Sequence, residues 1–188
     1  MHTTRRFAVA LVLVLSVCSL ASAQVVWRSL ASGNWGTAAT WEISTDAGGT
    51  WAAATSAPGQ KDTTSDFIVA AGHTVVVEAS PKYCFNLTVQ AGGVLTAKVK
   101  QPTRDIKYIR NKGNYVKVDG VFGFAANPAD SSDALSLQPY GPDQTLTIQG
   151  SGTINICRLR PHTGRKNISV IVDANVTFTY IGGSGTGG

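Results

Sequence analysis

The chain has 188 residues, three cysteines and a formal net charge of +5. That length suffices for one domain with a substantial core, and so mild a basic excess gives no argument for specific nucleic-acid binding. The cysteines make no disulfide framework and no CxxC, His pair or other metal-ligand spacing occurs, so neither a metal nor a cofactor is expected.

The first 23 residues read as a cleaved export signal: MHTTRR is a basic start, FAVALVLVLSVCSL an apolar run, and ASA at 21–23 a small-residue cleavage signature. The apolar run is shorter than the roughly 20 residues a membrane span needs, so no span is expected once the signal is removed. Secretion to the exterior or the cell surface follows, with Gln24 as the mature first residue. Export makes a disulfide permissible, but Cys84 and Cys157 are read as two small buried residues.

Residues 24–66 form a tryptophan-rich segment. Trp27, Trp35, Trp41 and Trp51 are all the tryptophans of the chain, and SGNWGTAATWE at 32–42 holds two of them. Two readings stand: such rings close the end of a hydrophobic core as an N-terminal cap, or they stack on a sugar. The segment immediately precedes the first repeat of the pattern described next, which favours the cap.

From residue 67 onward, helical periodicity gives way to short β-branched runs with tight turns of small residues. These are FIVAAGHTVVVEA, NLTVQAGGVLTA, YVKVDGVFGFA, LTIQGSGTINI and VIVDANVTFTY. Aligned on the last apolar residue before each turn, the anchors Val69, Val89, Val118, Ile148 and Val172 recur at roughly 20 to 30 residues, the mark of an all-β solenoid over 67–188. Each turn of chain is too small to bury its own apolar residues, and stacking buries them as a column. An antiparallel β-sandwich is the alternative, because it too reads as short strands with turn signals. The sequence ends at YIGGSGTGG, directly after an apolar strand, so the chain is expected to be the N-terminal part of a longer protein.

SGNWGTAATWE, the Pro58-Gly59 turn, IVAAGHTVVV and NLTVQAGGVLTA together resemble the opening of large bacterial secreted and surface proteins, and the order is similar to the G8 module. The resemblance covers about residues 27–97. It implies a right-handed parallel β-helix, an extracellular location and an adhesin-like or carbohydrate-associated role.

Candidate chemistry lies in two basic tracts. Residues 98–118 carry Lys98, Lys100, Arg104, Lys107, Arg110 and Lys112, interleaved with Tyr108 and Tyr115; residues 157–166 carry Arg158, Arg160, His162, Arg165 and Lys166. Similar offsets from their anchors would put both tracts on one lateral face, a basic stripe for an anionic polysaccharide or cell-surface polymer. The two tyrosines would then offer sugar-stacking faces. The competing reading is that these cations are solvated loop residues that discourage edge-to-edge aggregation.

Catalytic residues are not expected. A uronate lyase would need a base and a cluster of acids, yet only Asp130 and Asp133 group together, in a turn-like NPADSSD. Glu42 and Glu78, the only glutamates, lie in the cap and the first repeat, which leaves no carboxylate pair for glycoside hydrolysis. His73 reads as an exposed corner residue without a partner, and His162 as a surface residue. The expectation is a secreted structural or adhesion module, with an acidic-polysaccharide-binding module or a fragment of a polysaccharide lyase as alternatives.

Overall fold

The computed structural model describes residues 23–97, 106–123 and 135–180. Residues 1–22 of the expected export signal, Lys98, Lys100, Arg104, Asp130 and Asp133 lie outside the described residues.

The described chain is all-β, with a short 3-10 turn at Ala38–Thr40. Its strands fall into three sheets. The first contains β1 (Val26–Ser29), β3 (Trp41–Ser44), β4 (Ala52–Ala53), β5 (Asp66–Val69), β8 (Leu87–Val89), β11 (Tyr115–Val118), β14 (Thr145–Gln149) and β17 (Ser169–Val172). The second contains β2 (Gly33–Asn34), β6 (Thr74–Val77), β9 (Val94–Ala97), β12 (Val121–Gly123), β15 (Thr153–Ile156) and β18 (Thr177–Tyr180). The third contains β7 (Lys82–Cys84), β10 (Lys107–Asn111), β13 (Leu135–Pro139) and β16 (Arg158–Leu159).

From β5 onward each strand pairs, in parallel, with the strand three places later in the chain. Only β1 with β3 and β3 with β4 run antiparallel among the described residues. The antiparallel sandwich considered above is therefore not the arrangement. Its hairpin turns would have to join neighbours in one sheet, whereas here each tight turn passes the chain from the first sheet to the second.

Alternation explains why the runs form these strands. In β5 and β6 every second residue is buried, so Phe67, Val69, Val75 and Val77 face inward. Register then builds inward columns: Trp27, Phe67, Leu87, Val116 and Ile148 succeed one another in the first sheet, and Val172 continues that register in β17, where it is exposed. Val75, Leu95, Phe122, Ile154 and Phe178 succeed one another in the second. The anchor alignment holds for Val69, Val89 and Val118 but slips by two residues at Ile148, which pairs with Val116. A slip of two preserves the inward face, so the column survives it.

Close stacking demands glycine at one corner in particular. A Cβ on Gly120 would lie 2.2 Å from the Gly93 carbonyl oxygen of the preceding turn. The corner between the third and first sheets is held differently, by buried amides. Asn86 Oδ1 accepts from the backbone N–H of Asn114 at 3.0 Å, and Asn111 Nδ2 donates to the Phe85 carbonyl at 2.7 Å. Gln144 Nε2 donates to Asn111 Oδ1 at 3.0 Å, and the Gly141 N–H donates to Gln144 Oε1 at 2.7 Å. These amides satisfy backbone groups that no ladder reaches.

Residues 24–66 are not separate from the repeat. β1 and β2 are the first parallel strands of their sheets, pairing with β5 and β6. Between them and β3 the chain buries Trp35 and Trp41, both 0% exposed. Trp41 Nε1 donates to the Trp35 carbonyl at 2.7 Å, and both rings contact Phe67, with centroids 5.5 and 4.6 Å away. Trp27 stacks on the same phenylalanine at 6.2 Å.

Candidate functional site

The third sheet carries the densest grouping of aromatic and cationic side chains. In β10 the inward residues are Lys107, Ile109 and Asn111, which turns Tyr108 and Arg110 toward the outer face. Register places Tyr83 of β7, Arg110 of β10 and Gln138 of β13 in one column. Arg110 Nε donates to Gln138 Oε1 at 3.1 Å, and Nη1 donates to the Tyr83 hydroxyl. Its guanidinium lies 5.3 Å from the Tyr83 ring centroid and 5.9 Å from that of Tyr140.

Tyr140 follows β13 directly, and its N–H donates to the Asn111 carbonyl at 2.7 Å. Its ring meets Tyr83 edge to face, with centroids 5.0 Å apart. One level further along, the chain leaves β16 and returns over the same ring. His162 N–H donates to the Pro139 carbonyl at 3.0 Å, and Arg165 N–H donates to the His162 carbonyl at 3.0 Å, closing a turn. Gly164 in that turn has φ +82°, a conformation L side chains rarely adopt. The turn sets the His162 ring 5.1 Å from Tyr140 and the Arg165 guanidinium 4.4 Å above the Tyr140 centroid. Two cations and an imidazole thus share one tyrosine.

The charge of this patch is not neutralised locally. Among the described residues neither Arg110 nor Arg165 pairs with a carboxylate, whereas Arg28, Lys82 and Lys117 each do. Burial and the neighbouring Arg110 and Arg165 guanidiniums hold the His162 imidazole below its ordinary pKa. His162 Nδ1 and Arg165 Nε are both withdrawn from solvent and find no hydrogen-bond partner among the described residues.

The expected basic stripe is thereby revised. Arg110 and Arg165 come together on Tyr140. Lys112, Arg160 and Lys166 are exposed nearby in sequence, and Arg158 is half-buried beside Ser136. Lys107, expected among the exposed cations, is only 6% exposed, because the alternation of β10 points it inward with Ile109. Tyr108 and Tyr115 do not form a common face, since β10 and β11 belong to different sheets. Tyr83, Gln138 and Tyr140 escaped the sequence reading. The signal that could have found them is the separation of Arg110 from Tyr83 and from Gln138, 27 and 28 residues, which is the period of the third sheet at this point.

Elsewhere several polar groups are committed to the fold, although Trp35 Nε1 and Glu78 Oε2 are likewise buried without a hydrogen-bond partner among the described residues. His73 is half-buried, not the partnerless corner residue expected: its Nδ1 lies 2.9 Å from the Ser29 carbonyl and 3.0 Å from Ser29 Oγ. Ser29 is 1% exposed and its Oγ accepts from the Ala70 N–H, so the pair braces β1 against the first tight turn. Cys84 and Cys157 are unpaired and buried, and burial pushes the Cys84 thiol up to about 12. The rings of Trp35 and Trp41 present no outer face. Trp51 is half-buried under Arg28, whose guanidinium lies 3.9 Å from the ring centroid and is paired with Glu42.

The chain matches no protein-family model, no curated protein and no solved structure.

Proposed function

We propose that this chain is a secreted or cell-surface module built as a right-handed parallel β-helix, with Trp27, Trp35, Trp41 and Trp51 in an N-terminal cap, and that its role is structural or adhesive and not catalytic. The observation that carries the architecture is the parallel pairing, from β5 onward, of each strand with the one three places on. Crossover connections between parallel strands are right-handed almost without exception, which supplies the hand. A column of this kind stacks side chains at fixed spacing along its flanks, and its function is carried by those flanks and not by a cleft. The basic start, apolar run and ASA of residues 1–23 support export.

Export is tested by expressing the full chain with a C-terminal tag in a bacterial host and sequencing the N-terminus of each fraction. Protein beginning at Gln24 outside the cytoplasm is the expected result; an intact leader on cytoplasmic protein overturns it. Incubating the purified protein with polyuronates and looking for unsaturated products tests the non-catalytic reading, and their appearance would make it a lyase.

A second reading, a binding module for acidic polysaccharide, is favoured by one observation. Arg110 and Arg165 stand on the same tyrosine ring, and neither pairs with a carboxylate among the described residues.

A further inference from the structure

We infer that the surface formed by Arg110, Tyr140, His162 and Arg165 is a binding site for carboxylate-bearing sugar units of an extracellular polysaccharide. The inference rests on the acidic-polysaccharide reading and adds to it the residues and the group they recognise.

The first argument is cost. Removing a polar atom from water without a hydrogen bond is unfavourable, and a guanidinium left without a counter-charge compounds the penalty. His162 Nδ1 and Arg165 Nε both stand in that condition within one turn of chain, against the same ring. Those two atoms are themselves shut off from solvent, so a ligand meets the half-exposed remainder of each side chain, where an anionic acceptor supplies a counter-charge to the Arg165 guanidinium.

The second argument is preorganisation. Arg110 is held between Tyr83 of β7 on one side and Gln138 of β13 on the other, which together occupy only Nε and Nη1. The rest of its five donors remain for a ligand. A planar guanidinium held in place matches a carboxylate through two parallel bonds, and ordering it beforehand removes part of the entropic cost of binding.

The third argument separates a sugar acid from a nucleic acid. Single-stranded nucleic acids are gripped by bases stacked on open aromatic faces. Tyr140 has no such freedom, because Arg165, Arg110, Tyr83 and His162 already surround its ring. The depressed basicity of His162 keeps its ring neutral near pH 7, with one nitrogen as donor and the other as acceptor, which suits a sugar hydroxyl. The patch also runs along the strand-stacking direction, from β10 through β13 to the turn after β16. At about 4.8 Å per step that is about 10 Å, longer than a single ion and suited to a short stretch of sugar units.

The test uses the purified chain and calorimetric titration with an oligogalacturonate, its carboxyl-reduced neutral counterpart, and single-stranded DNA of equal charge. Expected is saturable binding of the oligouronate, none of the neutral oligomer, and weaker binding of DNA. Arg165→Gln should weaken oligouronate binding by about 10- to 100-fold, the worth of a hydrogen bond to a charged group. Lys61→Gln, at an exposed position before β5, should leave it unchanged. Arg165 lies in an outer turn, so its variant keeps the test decisive even if Arg110→Gln fails to fold. No oligouronate binding, equal binding of DNA, or an Arg165→Gln affinity like that of wild type each overturns the inference. Because binding is measured on purified protein, its failure leaves the export result standing, and a cytoplasmic chain that binds would overturn only the proposed location.

Discussion

Arg28 over Trp51 and Arg165 over Tyr140 are nearly the same contact, at 3.9 and 4.4 Å, yet they do different work. At the N-terminal end, Arg28 is also paired with Glu42, and the neighbouring indoles of Trp35 and Trp41 are shut away around Phe67. On the third sheet a second arginine takes the place of the acid, and the half-exposed ring sits beneath uncompensated positive charge. An aromatic residue beside a cation therefore does not mark a site by itself. The distinguishing feature is whether the charge is already satisfied.

The contrast predicts where substitutions hurt. Trp41→Ala should cost the most, about 3 to 5 kcal/mol, because it empties a fully buried volume and removes the bond to the Trp35 carbonyl. Denaturant unfolding measures it. Tyr140→Ala, at a half-exposed ring, should cost clearly less; an equal cost would mean that the patch is core and the contrast false.

Next comes Asn111→Ala, at about 2 to 3 kcal/mol. The substitution strips the Phe85 carbonyl and Gln144 Nε2 of a partner inside a buried network. The backbone carbonyl of Asn111, which the substitution leaves in place, receives the Tyr140 N–H, so the variant should loosen the patch only through movement of the corner. Loss of stability with no change in hydrogen exchange at Tyr140 would show that the two are independent. Arg110→Ala should cost less again, about 1 kcal/mol, since its bonds to Gln138 and Tyr83 are made at a half-exposed position.

The same contrast explains what the sequence disclosed. Strands of the first two sheets flank tight turns and alternate cleanly, so FIVAAGHTVVVEA yields β5 and β6 directly. Strands of the third sheet lack such a signature. β13 is LSLQP, buried at every residue including Ser136, Gln138 and Pro139, and β7 is KYC with Lys82 tied to Glu78 at 3.0 Å. Polar residues buried through specific partners look like loop in a single sequence. Because Tyr83, Arg110 and Gln138 sit on that sheet, the patch was legible only as a loose concentration of basic residues, and Lys107 was counted among them although β10 turns it inward. The tryptophans were the easier case, since position before the first repeat and aromatic mass point the same way.

The smallest expected effect is also the one whose sign is most informative. His162 in the unfolded chain titrates near 6.5, and in the fold burial, Arg110 and Arg165 hold it lower. Above 6.5 both states carry the neutral ring and the difference between them is constant. As pH falls through that value the unfolded chain takes up the proton first, so stability declines until the folded ring is protonated too. Asp66, pushed up by burial, acts in the opposite sense, and Asp46, held at about 2 chiefly by the Ser44 hydroxyl and then by Thr50, titrates well below this window. His162→Gln should therefore flatten the decline between about pH 7 and 5 without altering stability at pH 8. Oligouronate binding should move the other way over the same range, because an imidazolium adds a third cation while the uronate stays ionised. Parallel loss of binding and stability on acidification would mean that His162 contributes to the site through its packing on Tyr140 and not through its charge.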